Sequence, residues 1–355
     1  MSSATMTSEA QVISPLRPWK QTVSRRVGRW VSVLLVVAAS TLVVLISPLA
    51  GLAGIFLVAI PSQIAVTYIR TRRLGGQAMR NEVASSLIGS AFVLLLTPWI
   101  SIVFTVVRRG YQAISWNFLA DDMRITAPDA DLATGGIAHA IIGTLIMVGI
   151  ASLVSVPLGI LSGIYITEIR GRFTKLVRFI VQAMSGVPSI VAGLFIYATL
   201  VLYNKSYSGL AGALALAVLM VPTVARTSEE VLKLVSEDLR FAGYALGSTQ
   251  ASNVFRIVLP TVRSGLVTSG ILGVARVAGE TAPLLMTAQV FLATKANPFD
   301  GPLGSLPVVI FSFFQNGADN AVTRAWGAST VLMVLITFLF ALARAVSTDR
   351  RRSRR

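Results

Sequence analysis

Apolar residues gather in eight stretches, 31–47, 50–69, 84–107, 137–167, 179–202, 209–225, 265–291 and 326–346, separated by polar segments. A membrane span needs about 20 mostly apolar residues, so each stretch predicts a transmembrane helix. The predicted fold is therefore all-α, a polytopic transmembrane helix bundle. The first two stretches are nearly continuous, and Ser47-Pro48 is the only obvious place to turn. A secretory signal peptide is the rival reading of 31–47. A second apolar stretch follows at once, with no clear small-residue cleavage site between, and this weighs against it.

Composition agrees with a chain solvated by lipid. Of 355 residues, 54% are hydrophobic and 13% charged, and the mean hydropathy is +0.74. Ordinary soluble domains carry about 25% charged residues. The net charge of +16 would point to nucleic acid in a soluble protein. Here the basic residues follow the loops. Segments 1–30, 70–83, 168–178 and 226–264 and the C-terminal tail hold most of them. The intervening segments hold only Arg108, Arg109, Arg124, Lys205, Lys295 and Arg324. That bias predicts cytoplasmic N- and C-termini and explains the charge without nucleic acid. The tail sequence RRRSRR reads as an anchor against lipid headgroups. Two outer loops are turn-rich: 108–136, with Asp121, Asp122, Asp129 and Asp131, and 292–325, with Asn297-Pro298, Asp300-Gly301-Pro302 and Asn316-Gly317. With no Cys and a single His, disulfides, thiolate chemistry and multi-histidine metal sites are excluded; no cofactor is expected. His139 reads as a polar residue at a helix end.

Within the spans, Gly159 and Gly163 are spaced to let helices approach closely. Pro157, Pro188, Pro222 and Pro283 can each kink or break a helix. The run SGVPSIVAGLF (185–195) places Pro188 and Ser189 at membrane depth. It is either a kink filled by neighbours or a break whose freed amides face an anion. In GVARVAGETAPLL (273–285), Arg276 and Glu280 are four apart and are expected on one helix face. A charge at mid-membrane costs about 2.5–3.5 kcal/mol on insertion scales. The pair either locks helices together or lines an anion path. An arginine fork suits a tetrahedral oxyanion, with Glu280 positioning it.

The segment 226–264 differs from the other polar segments. From Ser228 to Val258 it has no proline, and Gly243 and Gly247 are expected to mark a turn between two short helices, with Pro260 ending the second. Phe241, Tyr244, Ala245 and Leu246 make an apolar cluster before that turn, which reads as a docking surface. A bulky residue at Gly247 is expected to clash.

The segment FAGYALGSTQASNVFRIVLP (241–260) resembles the EAA loop of ABC importer permeases, in which EAA, three residues, Gly, nine residues and I-x-L-P follow one another. Gly247 precedes nine residues and then Ile257-Val258-Leu259-Pro260. The first three positions are Phe241-Ala242-Gly243, so Phe241 stands where the family has an acidic residue, with Glu237 and Asp238 just upstream. With YALG (244–247), RVAGETAPLL (276–285), SGVPSIVAGLF, PLGILSGIYITE (157–168), WNFL (116–119) and FFQNG (313–317), the chain is similar, over roughly residues 84–346, to the PstA-type permease family of phosphate importers. The resemblance implies a type I ABC importer permease with six core spans, to which 31–69 adds an extra N-terminal hairpin. It divides the chain into a tail (1–30), the hairpin (31–69), a transport domain (70–346, coupling loop 226–264) and a basic tail (347–355). It implies a bacterial inner-membrane subunit that passes inorganic phosphate. Implied partners are a PstC-like second permease, two PstB-like ATPase subunits and a PstS-like phosphate-binding protein. It assigns Phe241, Ala242, Gly243, Tyr244, Gly247, Ile257, Leu259 and Pro260 to the ATPase-coupling loop. No G-x-x-x-x-G-K-[ST] occurs, so ATP hydrolysis is expected in another chain. A permease for sulfate or molybdate is the nearest alternative. A secondary transporter acting alone would not need the coupling loop.

Overall fold

The computed structural model describes residues 23–46, 52–72 and 76–348, and all regular structure among them is helical. The predicted turn at Ser47-Pro48, most of the N-terminal tail and the RRRSRR tail lie outside the described residues. The chain divides into two compact units, Met1–Ile102 and Val103–Arg355. The first unit holds α1 (Val23–Ile46), α2 (Leu52–Thr71) and most of α3 (Gly76–Gly110). α1 packs on α2, and Thr67 Oγ1 of α2 lies 3.4 Å from Ser86 Oγ of α3.

The second unit starts with the end of α3 and continues through α4 (Trp116–Ala120), α5 (Ala138–Ile164), α6 (Thr174–Ser185), α7 (Ser189–Ile196), α8 (Leu202–Asn204), α9 (Gly209–Lys233), α10 (Glu237–Ala245), α11 (Gln250–Asn253), α12 (Leu259–Val277), α13 (Ala282–Thr287), α14 (Leu306–Asn316) and α15 (Asp319–Thr348). Helix α9 is its axis: α5, α6, α7, α12 and α13 all pack on it. Small residues make this possible. A Cβ on Gly159 would stand 2.6 Å from Val224 Cβ, and one on Gly163 would stand 3.0 Å from Ser228 Cβ. The predicted close-packing pair therefore faces α9, where backbone proximity replaces the hydrophobic drive that lipid cannot supply. Ser155 Oγ adds a hydrogen bond to Ala217 O at 3.2 Å.

Six helices among the described residues are long and apolar enough to cross a membrane, and the bent pair α6 with 189–204 is either a broken seventh span or a re-entrant loop. Three short π-helical turns, 165–169, 197–201 and 254–258, interrupt the long helices. The third lies just before Pro260, which sits in the first turn of α12. Proline offers no N–H to the preceding turn, and the wider π turn accommodates that loss. Pro260 therefore does not end a helix, as the sequence pattern led us to expect; a single helical segment from Gln250 to Val277 runs through it.

Segments 108–136 and 292–325 are more ordered than their turn-rich sequence predicts. Helix α14 lies within the segment read as an outer loop, with Leu306, Val308, Val309 and Phe313 buried. Arg324, expected in that loop, belongs to α15 and is fully buried. Its guanidinium donates to four carbonyls of the other loop, Pro128 and Ala130 at 2.8 and 2.9 Å, Asp131 and Thr134 at 2.7 and 2.6 Å. The two loops also meet at Asp122, whose carboxylate accepts the Thr294 N–H at 2.8 Å and the Arg124 N–H at 3.1 Å. His139 stands at a helix end as expected, in the first turn of α5, and is buried there.

Candidate functional site

Two places concentrate the chemistry expected from the sequence. The first is a pair of helix breaks. The stretch 265–291 is not one continuous helix. α12 ends at Val277, and the Glu280 N–H donates to Val277 O at 3.1 Å in the turn that follows. α13 then begins with Pro283 in its first turn, and the chain leaves the helical path at Gln289, with φ +65°. Gly279 and Pro283 account for the interruption, because proline cannot donate to the carbonyl four residues back. Glu280 thus lies beyond the end of α12 rather than on its face. The pair still closes: Arg276 Nη1 donates to Glu280 Oε1 at 2.7 Å. The two ends are unequally covered, with 55% of the Arg276 side chain accessible but only 14% of Glu280. Arg276 stands in the last turn of α12, where the helix dipole favours a cation. The arrangement is a guanidinium anchored at one corner with its remaining N–H groups open to an acceptor.

The second break is Gly186-Val187-Pro188. α6 and the helical segment beginning at Ser189 meet at 105°. Pro188 caps α7, and its carbonyl accepts the N–H of Val191 at 3.0 Å. Pro188 is exposed and Ser189 half-buried. The sharp bend favours a break over a mild kink. The two breaks are neighbours: a Cβ on Gly193 of α7 would stand 2.6 Å from Pro283 Cα of α13. Val187 packs into the cluster that contains Val277, Ala278 and Leu284. Among the described residues, no hydrogen bond joins Ser189 to Arg276 or Glu280.

The second place is the turn between α10 and α11, at the opposite end of α12. Gly247 adopts φ +79°, a left-handed conformation that costs glycine little. A Cβ there would meet nothing within 4 Å, so the expected clash does not arise within the chain; the backbone conformation alone selects glycine. Gly243 is not in the turn but buried in α10, where a Cβ would stand 2.8 Å from Asn253 Oδ1 and 2.7 Å from Ile257 Cδ1. Ser248 closes the turn by donating from Oγ to Gly243 O at 2.7 Å, and Asn253 Nδ2 donates to Arg240 O at 3.0 Å. Above this braced turn, Phe241 and Leu246 are 63% and 88% exposed, with Ala242 and Tyr244 also exposed. Ile257 and Leu259 are half-buried beneath and Pro260 is exposed.

One pair escaped the sequence reading. Arg240 Nε and Nη2 donate to Glu168 Oε2 and Oε1 at 3.1 and 2.8 Å. Its other N–H groups reach Val235 O at 2.6 Å and Leu232 O at 3.0 Å. The hydrogen bonds to Glu168 hold the Arg240 pKa above its already high ordinary value. Gln250 Nε2 also donates to Glu168 O at 2.8 Å. Glu168 ends the PLGILSGIYITE motif and Arg240 immediately precedes FAGYALG, but nothing in either stretch names the other as its partner.

Residues 155–352 match the family described as "Binding-protein-dependent transport system inner membrane component". The chain is 35% identical over 280 residues to phosphate transport system permease protein PstA 1 of Mycobacterium tuberculosis, covering 77% of this chain and 90% of that protein. It is 36% identical over 283 residues to phosphate transport system permease protein PstA of Pasteurella multocida, covering 78% and 96%. With a probable PstA of Methanocaldococcus jannaschii the identity is 32% over 273 residues, covering 76% and 95%. Among solved structures, an inward-facing MetNI methionine ABC transporter chain matches with a TM-score of 0.49 at 18% identity, covering 60% of this chain and 94% of that one. The chain belongs to the binding-protein-dependent transport system inner membrane component family and is a multi-pass permease of the ABC importer class.

Proposed function

We propose that this permease carries inorganic phosphate into the cell. The observation that carries the proposal is the half-exposed Arg276, held at a helix break by Glu280, in a chain whose relatives are named for phosphate transport. A permanently charged fork with open N–H groups can bind two oxygens of a tetrahedral anion. Pro188 and Ser189, at the neighbouring break, contribute to the same path. Sulfate or molybdate would satisfy the same fork, but the names of the relatives favour phosphate.

The reading assigns residues 70–346 to transport, 31–69 to an added hairpin, and 1–30 and 347–355 to cytoplasmic tails. The distribution of Lys and Arg supports that orientation. A PstC-like permease completes the path beside Arg276, and a PstS-like protein delivers phosphate to the outer loops. Two PstB-like subunits hydrolyse ATP and dock on 236–260, with Phe241, Ala242, Tyr244 and Leu246 as the apolar contact and Gly243, Gly247, Ile257, Leu259 and Pro260 shaping it. The test is phosphate uptake by Arg276→Gln in membranes where assembly is measured in parallel. Uptake should be abolished with assembly intact, and Arg276→Lys should also transport poorly, since an ammonium lacks the fork. Wild-type uptake by Arg276→Gln would refute the assignment; loss of assembly would instead mark the pair as a helix lock.

A further inference from the structure

At the end of the bundle that carries α10, a cavity of about 710 Å³ opens between the turn after α5, the start of α6, the end of α9 and the start of α10. Six of its lining side chains are basic: Arg170, Arg172, Lys175, Arg178, Lys233 and Arg240; Glu237 is the one acidic side chain among them. The nearby carboxylates do not neutralise this set. Glu168 is engaged by Arg240, and Glu229 is shared by Arg178 at 3.1 Å and Lys233 at 2.7 Å. Among the described residues Arg170, Arg172 and Lys175 form no ion pair.

Local geometry keeps these three available. Arg170 follows the π turn in a left-handed conformation, φ +50°, which a non-glycine residue holds only where its surroundings enforce it. It donates from Nε to Thr167 O at 2.8 Å, which leaves the two Nη groups for another acceptor. The Arg172 guanidinium lies 4.6 Å from the Phe173 ring centroid; this stacking leaves the N–H edge open. Lys175 is in the first turn of α6, which contains no acidic residue, so the positive end of that helix adds to the same field.

Cations gathered round one cavity repel one another, and an anion with several acceptor oxygens relieves that repulsion. Arginine forks combined with an ammonium match a tetrahedral oxyanion. We infer that this cavity is a second binding site for a phosphate-class anion, distinct from Arg276. Arg276 lies near the far end of α12, about 25 Å along the helix axis from Leu259. Two sources supply the chemistry: the headgroup of an anionic phospholipid, and free inorganic phosphate. The proposed topology puts the cavity on the cytoplasmic side, where both are present; the recognition argument does not depend on Arg276. Because Arg240 both lines the cavity and holds α10, an occupant there touches the element proposed to meet the ATPase.

The experiment uses the whole complex with its ATPase subunits, purified without the binding protein. In neutral phosphatidylcholine nanodiscs, inorganic phosphate is titrated calorimetrically. In nanodiscs containing phosphatidylglycerol, retained phosphatidylglycerol is counted by native mass spectrometry. Arg172→Gln/Lys175→Gln should weaken the signal by about tenfold or more; both side chains are exposed, so assembly should survive. Arg172→Lys/Lys175→Arg should bind like the wild type. Both arms are run in an Arg276→Gln background, so that phosphate held on the transport path does not contribute to the signal. A signal in the first arm assigns the site to free phosphate; a signal in the second arm alone assigns it to a headgroup. Absence of binding in both arms, or binding undiminished by the charge-neutralised variant, would each overturn the inference. Normal uptake by Arg276→Gln would refute the transport-path assignment without touching this one.

Discussion

Arg240 and Glu168 are 72 residues apart in the chain, yet their side chains meet fork to fork, at 3.1 and 2.8 Å, with only 16% and 6% of their surfaces accessible. The pair ties α10 to the turn after α5, so a push on the exposed Phe241 face is passed to α5 as well as to α12. Removing one partner leaves a largely covered charge uncompensated, which costs about 3–5 kcal/mol where burial is complete and less at this site. Arg240→Leu and Glu168→Leu should therefore each lower uptake severely, with ATP hydrolysis continuing out of step with transport. The double variant should recover more assembled protein than either single one. Uptake and ATPase rate measured in the same vesicles check the first expectation, and yield of assembled complex checks the second.

The two glycines of this segment should respond differently. Gly247 needs its positive φ but has open space around it, so Gly247→Asn, a residue that tolerates the left-handed region, should retain ATPase binding. Gly247→Val should lose about 1–2 kcal/mol through backbone strain and bind less. Gly243 has an ordinary helical backbone but no room; Gly243→Val would displace Asn253 and Ile257 and loosen the turn itself. Pull-down of the ATPase with each variant ranks them. Wild-type binding by Gly243→Val would show that the packing under α10 does not matter.

The apolar pattern made the spans legible because a lipid-exposed helix needs a long uninterrupted run, and the packing role of Gly159 and Gly163 was legible from their spacing. The break after Val277 was not. Its Gly279 and Pro283 account for it, but both residues are also tolerated inside continuous membrane helices, so their presence alone did not announce a break. Spacing gave the Arg276–Glu280 pair but not its geometry, since a four-residue separation closes on a helix or just beyond one. Arg324 looked like a loop cation because sequence counts charges and cannot count carbonyls. Its four acceptors lie 190 to 196 residues away.

Arg324 makes a further prediction. Its guanidinium satisfies four carbonyls that Lys, a single point donor, cannot reach together. Arg324→Lys should loosen residues 128–134 and Arg324→Met more so, the latter by about 2 kcal/mol, since partly buried carbonyls would lose charged donors. Faster protease cleavage between Pro128 and Thr134, with α9 and α12 still protected, is the expected result. An unchanged cleavage rate in Arg324→Met would remove the role of this arginine in ordering the loop.

Asp122 gives the contact between segments 108–136 and 292–325 a pH dependence of defined sign. The Thr294 N–H holds its carboxyl below the ordinary aspartate range, and the Arg124 N–H acts in the same direction. A carboxylate with a lowered folded-state pKa stabilises above its unfolded value, about 3.9, and that contribution fades as the pH falls through the folded value. The link between residues 121–124 and 292–294 should therefore be fully present from neutral pH down to about 4 and loosen only below it. Asp122→Asn keeps an acceptor for Thr294 but not the charge, so its link should be weaker at neutral pH and flat through the acid range. Amide exchange at Thr294, corrected for the intrinsic dependence of exchange on pH, reads both. Wild-type protection that is already lost at pH 5 would mean that the Asp122 carboxylate does not carry the link.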